Sequence, residues 1–378
     1  MPRAALALLC AGCASALQIT PEDRQLHLDA VVVDAHCDIA EAMSDEGYDL
    51  LARHDVHHVD LPRLQEGGVD AEFFSVRVHP ESVDLTRFFP TAMREIDLLQ
   101  QVARRSGGAL QVARNADEVR DNADKGVTSM LIGVEGGHLL LPGTEEEQLA
   151  HLKAFADRGV RYLTLAWSSS STIGGSTAED AKTGLTPFGK RVLAEMERLG
   201  VVADLSHASD PLFWDVMRES HRPVLLSHSA ARALSNHPRN ASDEMLQAVA
   251  RNGGAVCVDF SRTFLDDRFR RASQGLLQKT KGMRFSEKVA LYRRENLPEV
   301  PLSTLVDHIE HMAQIAGNDH VCLGSDFDDA PMMPVGLEDA SKLPALTAAL
   351  RARGWSPRNL RKLLGENLLR VLAASEGR

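Results

Sequence analysis

The chain has 378 residues, 44% of them hydrophobic and 25% charged, and its 42 Lys and Arg against 53 Asp and Glu leave a formal charge of −11. That composition excludes a largely disordered chain, and an acidic balance without a basic stripe excludes a surface built for nucleic acid. The length suits one α/β barrel, a fold that commonly runs to about 250 residues and beyond with insertions.

Met1-Pro2-Arg3, the apolar run Ala4 to Ala11 and Ala14-Ser15-Ala16 read as the n-region, h-region and cleavage site of a secretory signal, with cleavage after Ala16. Residues 1–16 are therefore assigned to a signal peptide and 17–378 to a single catalytic barrel. Cys10-Ala11-Gly12-Cys13 offers an alternative, a lipoprotein box with Cys10 in place of the usual Leu, which would put a lipid anchor on Cys13. No stretch approaches the ~20 uninterrupted apolar residues of a membrane span. The expectation is an exported protein, periplasmic or extracellular, either soluble or lipid-anchored. Cys37, Cys257 and Cys322 remain, widely spaced in apolar strand-like runs, and are expected as buried free thiols.

Eight short apolar runs follow in order: Val31 to Asp34, Ala71 to Val78, Ser129 to Val134, Tyr162 to Ala166, Val201 to Leu205, Pro223 to Ser227, Ala255 to Phe260 and Val321 to Gly324. Helical patterns separate them, for example Pro187 to Leu199 with Gly200 as C-cap and Asp243 to Arg251. Strands this uniformly apolar are covered on both faces, and eight of them predict a closed (β/α)8 TIM-type barrel. An open doubly wound sheet fits less well, because no Gly-rich phosphate loop follows the first strand. Two connections are long. Ser168 to Thr186 after the fourth strand reads as a substrate loop, and Arg262 to Pro301 after the seventh as a helical excursion, a lid or a subunit contact. A final helix starts at Ser356-Pro357 with an apolar face from Leu360 to Leu372, and is expected to pack on the barrel wall.

Chemistry gathers where the strands end. The first closes on His36-Cys37-Asp38, the third on Gly133-Val134-Glu135-Gly136-Gly137-His138, the fifth on Asp204-Leu205-Ser206-His207 and the sixth on Leu226-Ser227-His228-Ser229. A buried carboxylate such as Glu135 calls for a cation or a donor nearby. His36, Asp38, Glu135, His207 and His228 suit zinc, and five donors exceed the three or four that one ion takes from protein. Two ions sharing Glu135 account for all five. Such a pair, about 3.5–4 Å apart, can hold a bridging water and polarise the carbonyl that the water attacks. Asp326, in Gly324-Ser325-Asp326-Phe327-Asp328 at the end of the eighth strand, is placed to take and return a proton. Arg239, beyond the sixth strand, can grip a substrate carboxylate.

These segments, together with Arg161 to Leu165, Leu185-Thr186-Pro187-Phe188-Gly189, Gly336-Leu337-Glu338-Asp339 and Glu366 to Val371, resemble the membrane (renal) dipeptidase family over about His36 to Leu372. The resemblance implies a (β/α)8 barrel of the metal-dependent hydrolase kind that hydrolyses dipeptides, in some members with a C-terminal D-residue, and that often acts as a homodimer. It places one Zn2+ on His36, Asp38 and Glu135 and a second on Glu135, His207 and His228, with Asp326 as acid and base and Arg239 on the terminal carboxylate. One departure is Trp167, in Leu165-Ala166-Trp167-Ser168, where family members carry a histidine that bonds the substrate carbonyl. Trp167 is then a substrate-binding residue or a plain pocket wall. Another is Asp329, where glycine is usual. Two other functions fit the same residues: an amidohydrolase acting on a non-dipeptide amide, and an envelope binding protein with weakened catalysis.

Overall fold

The computed structural model describes residues 18–376. The predicted signal and the Cys13 anchor lie outside the described residues. Among the described residues there are nine strands: β1 Val33–Cys37, β2 Ala71–Val76, β3 Leu110–Val112, β4 Thr128–Glu135, β5 Val160–Thr164, β6 Val202–Asp204, β7 Leu225–Leu226, β8 Ala255–Val258 and β9 Val321–Leu323. All pair in parallel, and β9 against β1 with β2 against β4 closes an eight-stranded barrel. The eight strands expected from the sequence are the eight of the barrel. β3 was not foreseen; it lies on the N-terminal half of β4, through Leu110 to Thr128 and Val112 to Met130, and is too short to show a period.

Helices wrap the barrel. That at Pro187–Leu199 begins at Thr186, whose side chain accepts from Gly189 N, and ends at Gly200 with φ +69°, the left-handed cap its sequence foretold. The excursion after β8 is helical, with short helices at Arg262–Leu265, Asp267–Ala272, Leu276–Lys279 and Phe285–Arg294. It reaches back to the segment after β1, where Phe285 stacks on His57 at 4.5 Å between ring centroids.

Two expectations need correction. The final helix lies on the wall only in its first part, where Leu360, Leu363 and Leu364 join the core between helices and barrel. Its second half, Asn367–Ser375, buries Leu368, Leu369, Val371 and Leu372 against Val33, Ala71, Phe73, Leu131 and Val202, the side chains that fill the barrel. Arg370 donates to the carbonyls of Gly254 and Asp319, which lead into β8 and β9, so the helix forms the barrel floor. Cys257 and Cys322 are not free thiols. They face each other in the β8–β9 register with Cα atoms 4.1 Å apart and are joined as a disulfide, which leaves Cys37 as the buried free cysteine among the described residues.

Polar groups sealed between helices and barrel are specific about protonation. His308 is buried; its Nδ1 accepts from Ala231 N at 3.0 Å and its Nε2 donates to the Leu265 carbonyl at 3.0 Å. A second ring proton would remove that acceptor, and burial lowers the imidazole from 6.5 to about 4. The unfolded chain then binds more protons than the folded one between pH 4 and 6.5, so this group's contribution is complete above 6.5 and is lost as pH falls towards 4. Urea unfolding across that range is expected to show a shallower loss of stability in His308→Gln, which bonds without titrating, than in the native chain. Equal slopes would refute it.

Candidate metal centre

The C-terminal ends of the strands converge on one buried cluster. At β1 the register to β2 shifts between Asp34 and Cys37. Val33 and Ala35 face the barrel interior while Cys37 packs outside, so the irregularity turns His36 inward. Asp38 follows as the N-cap residue of the helix Ile39–Asp45. Glu135 ends β4, and Gly136, at φ +117°, turns the chain away at once; a Cβ there would stand 2.4 Å from the His138 ring. His207 and His228 come just after β6 and β7. Asp326 sits after β9 at φ +57°, its amide bonded to the His36 carbonyl at 3.1 Å.

Glu135 Oε1 is the common point. It lies 2.8 Å from His207 Nε2, 3.5 Å from His228 Nε2 and 3.8 Å from His36 Nε2. His36 Nε2 is also 3.5 Å from Asp38 Oδ1 and 3.9 Å from Asp326 Oδ1. All six side chains are buried. His36 Nε2, Asp38 Oδ1, Glu135 Oε2 and His207 Nδ1 have no hydrogen-bond partner. So many unpaired donors and acceptors packed together fit a group that binds them all, and three overlapping sets could each hold a cation: His36, Asp38 and Glu135; Glu135, His207 and His228; His36, His228 and Asp326.

The electrostatics agree with that donor set. Burial first, then Asp38, pushes Glu135 up to about 8, so without positive charge this carboxyl would hold its proton. Burial, reinforced by Arg239 and His36, drives His207 and His228 well below the usual imidazole value, which favours the neutral ring, the form in which an imidazole can bind a metal. Asp326 is pushed up by burial and then by Asp259.

A layer of hydrogen bonds fixes these candidate ligands. His36 Nδ1 bonds Tyr162 Oη at 2.8 Å, and Gly133 makes room for that ring, since a Cβ there would stand 2.1 Å from Tyr162 Cζ. Asp204, ending β6, accepts from Thr164 Oγ1 at 2.6 Å, Ser206 Oγ at 2.8 Å and Ser227 Oγ at 2.7 Å. Ser227 Oγ in turn lies 2.8 Å from His228 Nδ1, so one carboxylate ties β5, β6 and β7 to the orientation of a single imidazole. Arg239 Nη1 donates to the Ser206 carbonyl beside His207, and its guanidinium lies 5.4 Å from the Phe264 ring centre.

The two departures also take definite places. Trp167 lies half-buried at the rim, its ring 6.4 Å from that of His207 and 4.8 Å from that of His79. Asp329 bonds Arg77 at 2.6 Å, so its negative charge meets a cation beside the centre. Arg77, Tyr162, Asp204 and Asp259 were missed by sequence reasoning. A charged or hydroxyl side chain near the end of an apolar strand is the signal that could have found them.

The sequence profile of the family described as membrane dipeptidase, peptidase family M19, matches residues 21–377. The chain belongs to the membrane dipeptidase family. With that family it falls among the metallo-dipeptidases, hydrolases of the peptide bond. Dipeptidase 3 of Macaca fascicularis is 32% identical over 97% of this chain and 69% of its own length, and Dipeptidase 3 of Mus musculus 33% over 92% and 65%. The chain thus spans about two thirds of the length of these curated relatives. Among solved structures, dipeptidase AC, a family M19 metallopeptidase, matches with 29% identity and a TM-score of 0.77 over 92% of this chain and 99% of its own. A metallopeptidase from Rhodobacter sphaeroides, liganded with a phosphinate mimic of the dipeptide L-Ala-D-Ala, matches with 27% identity and 0.76 over the same shares.

Proposed function

We propose that this membrane dipeptidase family member hydrolyses the peptide bond of dipeptides with two zinc ions, one held by His36, Asp38 and Glu135 and one by Glu135, His207 and His228. The observation that carries the reading is Glu135 Oε1 standing within 4 Å of three imidazoles in a buried cluster of unpaired donors and acceptors. A pair of divalent cations there would polarise the scissile carbonyl and acidify a water. The chain's own groups do the rest. Asp326 takes the proton released by that water and passes it to the leaving amine, and Arg239 orients the dipeptide through its terminal carboxylate. A C-terminal D-residue belongs to the reading because the Rhodobacter relative binds a mimic that carries one. The Cys257–Cys322 bridge supports an exported location, since such bonds persist in oxidising compartments. Among the described residues no helix is long and apolar enough to cross a membrane.

The test is zinc analysis of the purified protein, alongside a dipeptide library that includes D-residues and N-blocked members. Close to two zinc equivalents with cleavage of free dipeptides is expected; a protein that stays metal-free after reconstitution would refute the reading. Arg239→Ala is expected to raise KM for free dipeptides about 10- to 100-fold, the worth of one or two charge-assisted bonds, with a small change in kcat. An unchanged KM would remove Arg239 from the substrate site. A second reading, hydrolysis of an N-acyl or cyclic amide, draws on Trp167 standing beside His207, and preference for the N-blocked substrates would select it.

A further inference from the structure

Arg77, just beyond β2, is buried against three carboxylates from two other parts of the barrel. Its Nη1 donates to Asp329 Oδ1 at 2.6 Å and stands 2.8 Å from Asp38 Oδ2 as an ion pair, while Nη2 donates to Glu41 Oε2 at 2.6 Å. The other oxygen of Glu41 stands 3.1 Å from His79 Nε2. Asp38 and Glu41 lie on the segment after β1, and Asp329 lies three residues beyond Asp326 in the loop after β9. One planar guanidinium therefore spans the ends of β1, β2 and β9, a task for which its fixed fork of donors is suited.

We propose that Arg77 is a positioning residue for the metal ligand Asp38, and that Asp329 with Glu41 cancels its charge so that it can stand beside a cation site without repelling the cation. The inference rests on the two-metal reading above. A lone guanidinium at that distance from Asp38 would compete with a metal for the carboxylate. With two further carboxylates paired to it, Asp329 on the same Nη1 and Glu41 on Nη2, the Arg77, Glu41 and Asp329 group has a net charge of −1, and the guanidinium then contributes geometry: it holds Oδ2 and leaves Oδ1 turned towards His36 Nε2, 3.5 Å away. It also explains how this chain tolerates an acid at position 329, which arrives with its own counter-charge.

The experiment is chelator titration of the zinc-loaded protein, followed by metal content, for the native chain, Arg77→Met, Asp329→Asn and the double variant. In Arg77→Met one of the two equivalents is expected to bind 10- to 100-fold more weakly, the usual effect of removing a ligand's supporting partner. The other equivalent, on His207 and His228, is expected to keep its native affinity, a split that general destabilisation would not produce. Asp329→Asn is expected to weaken the same equivalent, and to add nothing in the Arg77→Met background because its role is to balance Arg77. Titrations of both single variants that superimpose on the native curve, or effects that add in the double variant, overturn the proposal. If Arg77→Met does not fold, Asp329→Asn, whose side chain is 43% exposed, carries the test by itself. A native chain that binds no zinc would instead sink the two-metal reading.

Discussion

Glu135→Gln is expected to release both zinc equivalents and to lower dipeptide turnover by about four orders of magnitude, to background. Glu135 is the one side chain shared by the two proposed ligand sets, with Oε1 2.8 Å from His207 Nε2 and 3.8 Å from His36 Nε2. The amide has nearly the same shape, so the fold has no reason to change, but it carries no charge and one of its two termini can only donate. The cations would then lose the bridging charge that offsets their mutual repulsion, and the catalysis they supply would go with them. Metal content after a mild chelator wash, read beside kcat, checks this. A variant that keeps two equivalents at native affinity would show that Glu135 is not the bridge.

Asp326→Asn separates proton transfer from metal binding. The expected loss in kcat is about 10²- to 10⁴-fold, the range for removing a positioned general acid or base, with both zinc equivalents retained. The substitution is clean because residue 326 has φ +57°, a conformation that asparagine adopts nearly as readily as aspartate. Burial and the neighbouring Asp259 push the Asp326 carboxyl up from its ordinary range, which favours a group that can hold a proton between its two transfers. Loss of one zinc equivalent in this variant would instead make Asp326 a ligand, a role its 3.9 Å approach to His36 Nε2 also allows.

How much of this was readable from the chain differs by kind of residue. The barrel and the six convergent side chains were legible because a strand end is a local feature: an apolar run stops, and a histidine or acid follows. The reason His36 faces inward was not. Simple alternation from Val33 and Ala35 would turn it outward, and only the register shift against β2 reverses that. Asp204 was in plain view two residues before Ser206, yet its function lies in bonds to Thr164 and Ser227 on the neighbouring strands. Arg77 depends on partners 36 and 252 residues away. The disulfide was hidden for the same reason, since pairing Cys257 with Cys322 requires the register of β8 against β9. The last helix showed its apolar face but not the surface that receives it; an amphipathic stripe fits the outside or the end of a barrel equally well.

That helix bears on how the molecule is made. The side chains filling the cylinder stay open to water at its base until residues 367–375 have been translated, after every strand is out of the ribosome. A nascent polypeptide whose interior is sealed by so late a segment lacks a finished native state during most of its synthesis, and contacts this distant in sequence form slowly. Both properties would suit the export proposed above, because a translocation channel accepts a chain as an unfolded thread.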